Sequence, residues 1–210
     1  MPHDDFAFDP IPGLPEALPK GEEILWQGRP DAWALARQAM ALRWIAAYFG
    51  VLMIWRFAAS SQMMDPAQAL ASTLPFAVLG LATVAILTGI AWVLARTTVY
   101  TITNRRVAMR IGAALPLTLN LPFSALETAG LDLRADGTGT IALTMTEGSK
   151  VSYLVAWPHV RPWHMARTQP ALRAIPDAAA VAQLLADAAE TRLSEPKIAR
   201  VDTHSAVAAE

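Results

Sequence analysis

The residue types that could carry out chemistry are concentrated in one stretch, "HVRPWHMARTQPALRAIPD", residues 159–177, which we call the strap. It contains two of the four histidines, three arginines, one tryptophan and three prolines. Imidazole nitrogens bind metals, and guanidinium groups bind carboxylates and phosphates. Three interpretations therefore arise: a metal site, a basic ribbon for an anionic partner, or a stiff segment that closes a fold.

The metal interpretation is the weakest of the three. His159 and His164 are five positions apart, Pro162 lies between them, and the one acidic residue of the strap, Asp177, stands at its far end. The chain has no cysteine, which excludes disulfides, thiolate metal sites and cysteine nucleophiles together. We therefore expect no metal site and no bound cofactor.

Catalytic patterns are equally scarce. No histidine-containing triad, glycine-rich phosphate loop or carboxylate pair appears at a recognisable spacing. The glycine-containing "ADGTG" at 135–139 is typical of a hairpin turn, because no helix follows it that could bind phosphate. We predict that the protein is not an enzyme, with no catalytic residues to assign.

Two interpretations of the strap stay open. In the first, its prolines stiffen an extended segment whose Trp157 and Trp163 pack on a sheet. In the second, its outer face docks a partner, with Trp163 as the anchor. Nearby acids are scarce, so we expect the strap arginines to remain in solvent. The candidate partner-binding residues are Arg161, Trp163, His164, Arg167 and Arg173, followed by Arg105, Arg106 and Arg110.

The composition points to a membrane. Hydrophobic residues make up 54% of the chain and charged residues only 17%, with a mean hydropathy of +0.31. We predict a transmembrane hairpin over 34–96, with spans at about 39–59 and 74–95. The second span is free of charge, whereas the first contains arginines that can extend to the interfaces. The predicted interface anchors are Trp44, Trp55, Trp92, Arg43, Arg56 and Arg96.

Loop charges predict the orientation. The connection 58–73 has no Lys or Arg, whereas both outer flanks carry several. The positive-inside rule then places both termini in the cytoplasm, giving a multi-pass protein of the bacterial inner or intracytoplasmic membrane. Residues 1–33 are acidic and 96–173 are basic, but these are local features that do not indicate nucleic-acid binding.

The remaining segments predict an α+β cytoplasmic domain. Residues 1–33 form a proline-rich arm, either docked or disordered, and the first strand of a sheet. Residues 97–193 alternate as strands, including three over 126–157 with turns at "ADGTG" and "EGS". An amphipathic helix follows, which Asp177 can cap, with a stripe of Val181, Leu184, Leu185 and Ala188. We expect an antiparallel sheet or small barrel closed by this helix, and a disordered tail at 194–210.

Two motifs carry a family resemblance. "GEEILWQGRP" at 21–30 and "YTITNRRVAMRIG" at 100–112 resemble the signatures of bacterial pleckstrin-homology-like membrane proteins. In that family the first signature precedes a transmembrane hairpin and the second begins the sheet that follows it, as here.

A closer resemblance involves "FDPIPGLPEALPKGEEILWQGRP" and "RPWHMARTQPALRAIPDAAAVAQLLADA". Together they resemble the PuhB family, photosynthetic complex assembly proteins of purple phototrophic bacteria. This resemblance implies a membrane assembly factor whose partners are reaction-centre subunits, core antenna polypeptides and membrane lipids, with a homodimer left open. The alternatives are a membrane-anchored lipid- or protein-binding pleckstrin-like module of other function, and an enzyme with an unrecognised site.

Overall fold

A computed structural model describes residues 11, 13–113, 115–146 and 151–194. Residues 1–10, the "EGS" turn at 147–149 and the tail from 195 onward lie outside the described residues. In chain order the elements are β1 Ile24–Gly28, α1 Ala32–Ala39, α2 Leu42–Ser60, α3 Pro66–Ala71, α4 Leu74–Thr97, β2 Val99–Thr103, β3 Arg106–Ile111, β4 Leu117–Pro122, a 3-10 turn Phe123–Ala125, β5 Leu126–Leu133, β6 Gly139–Met145, α5 Tyr153–Ala156, β7 Ala171–Ile175 and α6 Ala178–Ser194.

The first sheet is an antiparallel meander in the order β1-β2-β3-β4. The register sets Val99 opposite Arg110 and Ile102 opposite Val107, so β3 returns to the level at which β2 began. Strand β2 is buried along its whole length, because the sheet packs on one side and other segments cover its polar positions. The predicted turn at Asn104 and the strands on either side of it are confirmed.

The second sheet has the antiparallel order β5-β6-β7 and faces the first across a shared hydrophobic core. Helix α6 contributes Val181, Leu185 and Ala188 to that core, with Leu184 packed at its edge. Each large apolar side chain removed from water in this way stabilises the fold by about 1.5–3 kcal/mol. The predicted apolar stripe is confirmed. The described strand pairings form two sheets and do not close into one continuous barrel.

One predicted strand is wrong. The segment expected to form the third strand of 126–157 contains the short helix α5, and the third strand is β7, which lies inside the strap. All five residues of β7 are buried, so it lacks the alternation of a half-exposed strand. The strap, which was expected to pack on a sheet as an extended segment, therefore contributes a strand of its own at Ala171–Ile175.

The two signature motifs meet at one end of the first sheet. The carboxylate of Glu22, itself buried, accepts a 2.8 Å ion-paired hydrogen bond from Arg106 Nε, and Thr103 Oγ1 lies 2.9 Å from the same oxygen. Asn104 Nδ2 donates to Gly21 O at 3.0 Å. These contacts join the segment before β1 to the β2–β3 turn. Gly21 has a φ of 77°, a conformation that glycine adopts without strain.

The arm touches the opposite end of this sheet. Leu14 is buried, and a Cβ on Gly13 would lie 2.6 Å from Val99 Cγ1, so the chain passes closely over the start of β2. Gly13 also has a φ of 84°, which is a second reason for glycine at this position.

The helical segment differs from expectation at its start. The first long helix does not run on from residue 39: α1 ends, Ala41 adopts a left-handed φ of 52°, and α2 begins at Leu42. Helix α1 is a separate element, capped by Asp31, whose carboxylate accepts from Ala34 N at 2.7 Å. Its Leu35 packs with Ala95 of α4 and Ala174 of β7, which explains why it turns away from α2.

Helices α2 and α4 pack as an antiparallel pair. Leu42–Ser60 and Pro66–Thr97 are long and apolar enough to cross a membrane. Few of their residues are buried within the protein, and apolar side chains such as Ile54, Leu81 and Ile86 point outward. Exposed apolar surface on this scale is unusual for a monomer in water and marks an interaction surface.

Candidate membrane and partner interface

Arg173 of β7 ties the strap to the helices. Its guanidinium donates through Nη2 to the carbonyl of Gln38, near the end of α1, at 3.1 Å, and through Nη1 to the carbonyl of Pro158 at 3.4 Å. The residue is only 6% exposed, and burial lowers the pKa of its side chain from the ordinary value. The expectation that Arg173 lies in solvent is wrong, because backbone carbonyls take the place of the missing acids. It is therefore not part of an outer docking face.

His159 occupies a buried polar cluster beside this arginine. Tyr100 Oη lies 2.5 Å from His159 Nδ1, and Thr98 Oγ1 lies 3.2 Å from Nε2. Tyr100 Oη also accepts the backbone N–H of Arg173 at 3.2 Å. All these groups are satisfied when the Tyr100 hydroxyl donates to Nδ1 and the neutral ring donates its Nε2 proton to Thr98 Oγ1. Burial, followed by the charge of Arg173, lowers the pKa of His159 to about 3. Burial also raises the pKa of Tyr100.

The outer part of the strap forms a loop closed at its base. Val160 bridges to Pro170, the N–H of Arg161 donates to Gln169 O at 2.9 Å, and Arg161 Nη1 donates to Gln169 Oε1 at 3.1 Å. We call residues 161–169 the strap loop. Arg161 and Arg167 are exposed on it. The loop is therefore a defined projection that carries two positive charges.

Trp163 projects from the strap loop. It is 87% exposed and has a left-handed φ of 64°, which is rare for a bulky residue. The interpretation in which Trp157 and Trp163 pack on the sheet is wrong for Trp163, and Trp157 is itself about half exposed. Backbone strain of this kind is tolerated where the surroundings impose it, and it occurs often at functional sites.

The two strap histidines do not converge on a common point. His159 is buried against Tyr100, whereas His164 is on the strap loop, with Nδ1 2.8 Å from Pro162 O. Within residues 11, 13–113, 115–146 and 151–194, no group of three or more His, Cys, Asp or Glu side chains could hold a metal ion. The strap thus consists of a buried base that contains His159 and an exposed loop that contains His164.

The other candidate arginines lie at two ends of the first sheet. Arg105 and Arg106 flank the turn at the far end of β2 from α4, and Arg106 already pairs with Glu22. Arg110 lies opposite Val99, close to the end of α4. The three side chains therefore do not form one basic patch together with the strap loop.

The predicted interface anchors sit toward the ends of the hairpin. Arg43 and Trp44 begin α2, and the guanidinium of Arg96 lies 4.6 Å from the ring centroid of Trp92 near the end of α4. Met40 and Leu42 pack with Ala91, so these two helix ends lie side by side. Trp55 and Arg56 lie toward the other end of α2. All three tryptophans are exposed, in the arrangement that aromatic belts at membrane interfaces have.

Sequence reasoning missed the Tyr100, His159 and Arg173 cluster. One signal for it was available in "ALRAI", where Arg173 is flanked by apolar residues on both sides. An arginine inside a short apolar run is as compatible with a buried strand as with an exposed ribbon, because its many donors can be satisfied by carbonyls.

With this geometry in place, comparison with known proteins assigns the family. A family model described as the bacterial PH domain matches residues 39–189, which is most of the chain. The chain belongs to the bacterial PH domain family. A Rhodobacter capsulatus protein described as "Uncharacterized 23.7 kDa protein in puhA 5'region" is 44% identical over 203 residues, and the alignment covers 94% of each chain. No solved structure gives a significant match.

The family match confirms the predicted resemblance to bacterial pleckstrin-homology-like proteins. It begins at the end of α1, so it includes the helical hairpin, the second sheet and all of the first sheet except β1. The hairpin is inserted between β1 and β2, which are paired neighbours in the first sheet. Bacterial PH domains are generally non-catalytic modules.

The two hydrogen bonds from the Arg173 guanidinium to backbone carbonyls predict a specific loss of stability. Replacing Arg173 by Met leaves the Pro158 and Gln38 carbonyls without this donor, and we expect the free energy of unfolding to fall by roughly 2–4 kcal/mol. Arg161→Met removes an exposed guanidinium and should change it by no more than about 0.5 kcal/mol. Denaturant titration of both purified variants in one detergent measures the difference. Equal denaturant midpoints for the two variants would show that the bonds from Arg173 to the Pro158 and Gln38 carbonyls do not stabilise the fold.

Buried neutral His159 predicts that stability falls with falling pH. Above its ordinary pKa of 6.5, His159 is neutral in both folded and unfolded chains and has no effect on the pH dependence. Below 6.5 the unfolded chain binds a proton, whereas folded His159 stays neutral down to about pH 3. The cost is about 1.4 kcal/mol per pH unit inside this window, or about 2 kcal/mol by pH 5.

The test compares His159→Gln with His164→Gln. The first should lose this part of the difference in unfolding free energy between pH 7.5 and pH 5, and the second should retain it because His164 is on the strap loop. Thermal unfolding followed by circular dichroism at both pH values gives the comparison. A pH dependence in His159→Gln that matches the parent contradicts the assignment of a buried neutral ring.

Proposed function

We propose that this protein is a PuhB-type, non-enzymatic membrane assembly factor for the photosynthetic reaction centre and its core light-harvesting antenna. One observation carries the proposal: near-full-length identity of 44% to a Rhodobacter capsulatus protein described by its position in the puhA 5' region. That position suggests a photosynthetic gene cluster. It agrees with the independent resemblance of the two proline-rich segments to photosynthetic assembly proteins.

The hairpin supports membrane insertion. Helices α2 and α4 expose apolar side chains along their length, and both are long enough to span a bilayer. Lys and Arg are absent from the connection 58–73 and present on both outer flanks. We place the protein in the bacterial cytoplasmic membrane with two spans and with both termini in the cytoplasm.

The strap loop is the proposed docking surface for a reaction-centre or antenna polypeptide. Trp163 supplies an exposed aromatic anchor, and Arg161 and Arg167 supply charges that suit an acidic protein surface. The base of the loop is bonded to β2 and α1 through His159 and Arg173. The loop is thereby held near the hairpin before a partner arrives, which reduces the ordering cost of binding.

A pleckstrin-like module of other function is the second candidate. It would use the same membrane hairpin, and the exposed charged and aromatic strap loop would serve a different protein or the lipid surface. The two candidates differ in one observable: only the first requires that photosynthetic complexes decline when the strap loop is altered.

The topology follows as a prediction from the loop charges. A green fluorescent protein fused after Ser194, within the described end of α6, should fluoresce, and alkaline phosphatase fused there should be inactive. The same reporters inserted after Gln62, in the α2–α3 connection, should give the opposite result. Active phosphatase after Ser194 would overturn the proposed orientation.

The docking surface predicts a loss of assembled complex. In a phototrophic host that carries only the variant gene, Trp163→Ala should weaken partner binding by about 2 kcal/mol or more, which is roughly thirtyfold. Arg161→Ala with Arg167→Ala should give a smaller loss, because rim charges contribute less. The measurement is the near-infrared absorbance of the core complex per unit of membrane protein.

The control is Lys20→Ala with Arg134→Ala, which removes two exposed positive charges outside the strap. It should leave complex yield unchanged at equal protein abundance. The proposed docking surface is wrong if the strap-loop variants are abundant and folded and yet assemble as much complex as this control does.

A further inference from the structure

The segment before the strap lies beside the start of α2. One guanidinium, that of Arg173, binds both the Pro158 carbonyl and the Gln38 carbonyl, so Trp157 and Pro158 are held next to the end of α1. Helix α2 begins only four residues after Gln38. Trp157 is therefore close to the point at which the first candidate span begins.

The same segment also lies beside the end of α4. Thr98, the first residue after that helix, is 3.2 Å from the His159 ring, and Tyr100 binds the other side of the ring. His159 thus contacts the residue that follows α4 directly, and Pro158 is connected through the Arg173 guanidinium to the end of α1, just before α2. Residues 157–159 are therefore held close to both places where the hairpin joins the domain.

Helix α5 presents apolar side chains outward at this place. Ala156 is buried and Tyr153 packs against the core, whereas Leu154 is 85% exposed and Val155 and Trp157 are also exposed. We call residues Leu154–Trp157 the α5 wedge. Three neighbouring large apolar side chains in water are unfavourable, and their position is the one that a bilayer surface would cover.

The charges nearby favour lipid as the covering partner. Residues 151–169 contain two arginines and no acidic residue. Arg43 and the Arg96–Trp92 pair lie at the same end of the hairpin. Apolar and aromatic side chains next to positive charges are typical of segments that rest in the headgroup region of an anionic leaflet.

We infer that the α5 wedge is a third membrane contact, which rests in the interfacial layer of the leaflet where α2 begins and α4 ends. This inference depends on the proposed membrane insertion of the hairpin. The α5 wedge is separate from the strap loop, which we assign to the protein partner. Its effect is to fix the rotation of the domain on the membrane, because two helix ends and a third point define a plane.

Single-cysteine labelling tests the inference on the full chain. The native chain has no cysteine, so a nitroxide on Leu154→Cys or Val155→Cys is unique. Reconstitution uses vesicles of phosphatidylcholine with a minority of phosphatidylglycerol. We expect the ratio of oxygen collisions to collisions with a water-soluble nickel chelate to be several-fold higher at both positions than at the control, since oxygen concentrates in lipid.

Two reference positions make each outcome decisive. Leu193→Cys is the water control, because Leu193 is 64% exposed and sits at the end of α6. Helix α6 starts beside Gly137 and runs roughly 20 Å toward the turn Phe123–Ala125. Ile86→Cys is the lipid control, 63% exposed in the middle of α4. Both replace exposed side chains, so the fold should be retained, and circular dichroism checks this.

The outcomes separate the inference from the proposed function. If Ile86 reports lipid and both wedge positions resemble Leu193, the wedge lies in water and the inference is overturned while the hairpin stands. If Ile86 itself reports water, membrane insertion fails and the inference fails with it. Low collision rates with both reagents at the wedge would indicate a protein contact, such as a second copy of the chain, and would also overturn it.

Discussion

The burial of the Arg173 side chain against backbone carbonyls determines how the end of the domain next to the helical hairpin is assembled. Arg173 brings a β-strand, a proline-rich segment and the end of a helix to one point by donating to their carbonyl oxygens. Its two terminal nitrogens each bind one of these carbonyls, whereas Nε is buried without a hydrogen-bond partner among the described residues. Losing either bond would leave a buried charge with still fewer partners, so the segments cannot separate without a cost in free energy. The neutral His159 ring extends the same network to Thr98 and Tyr100. The fold, the strap and the hairpin ends are therefore one structural unit.

Much of the architecture follows from local patterns in the sequence. The apolar stripe of α6 was predictable because that helix has one buried and one exposed face. Strand β2 was predictable although it is fully buried, because Thr101 and Thr103 alternate with Tyr100 and Ile102 in its sequence. Strand β7 was not, because "ALRAI" has no regular alternation of polar and apolar residues. Helix α5 was mistaken for a strand because "YLVAW" is rich in residues that favour strands. Its actual shape depends on the inward packing of Tyr153 and Ala156, which only the tertiary structure reveals.

The candidate interface shows the same division. The exposed position of Trp163 agrees with the interpretation of the strap as a docking face and contradicts the one in which this ring packs on the sheet. The assignment of Arg173 to the surface is wrong because backbone carbonyl oxygens, as well as acidic side chains, can bind a buried guanidinium. The two signatures are physically linked: Glu22 of the first and Arg106 of the second form one ion pair, so removing either side chain would deprive the other of this charged partner. Arg106 serves the fold, which no inspection of "NRRV" alone would reveal.

Thr98 alone separates the last residue of α4 from the first residue of β2. Its side chain contacts the His159 ring, and a junction so short and so tightly packed has little freedom to bend. If α4 tilts to match the thickness of a bilayer, the first sheet must then rotate with it as a rigid body. With the hairpin inserted as proposed, the whole domain would lean in a thinner or thicker membrane, and the height of Trp163 above the lipid surface would change accordingly. Bilayer thickness would then be a mechanical input to the position of the proposed docking surface.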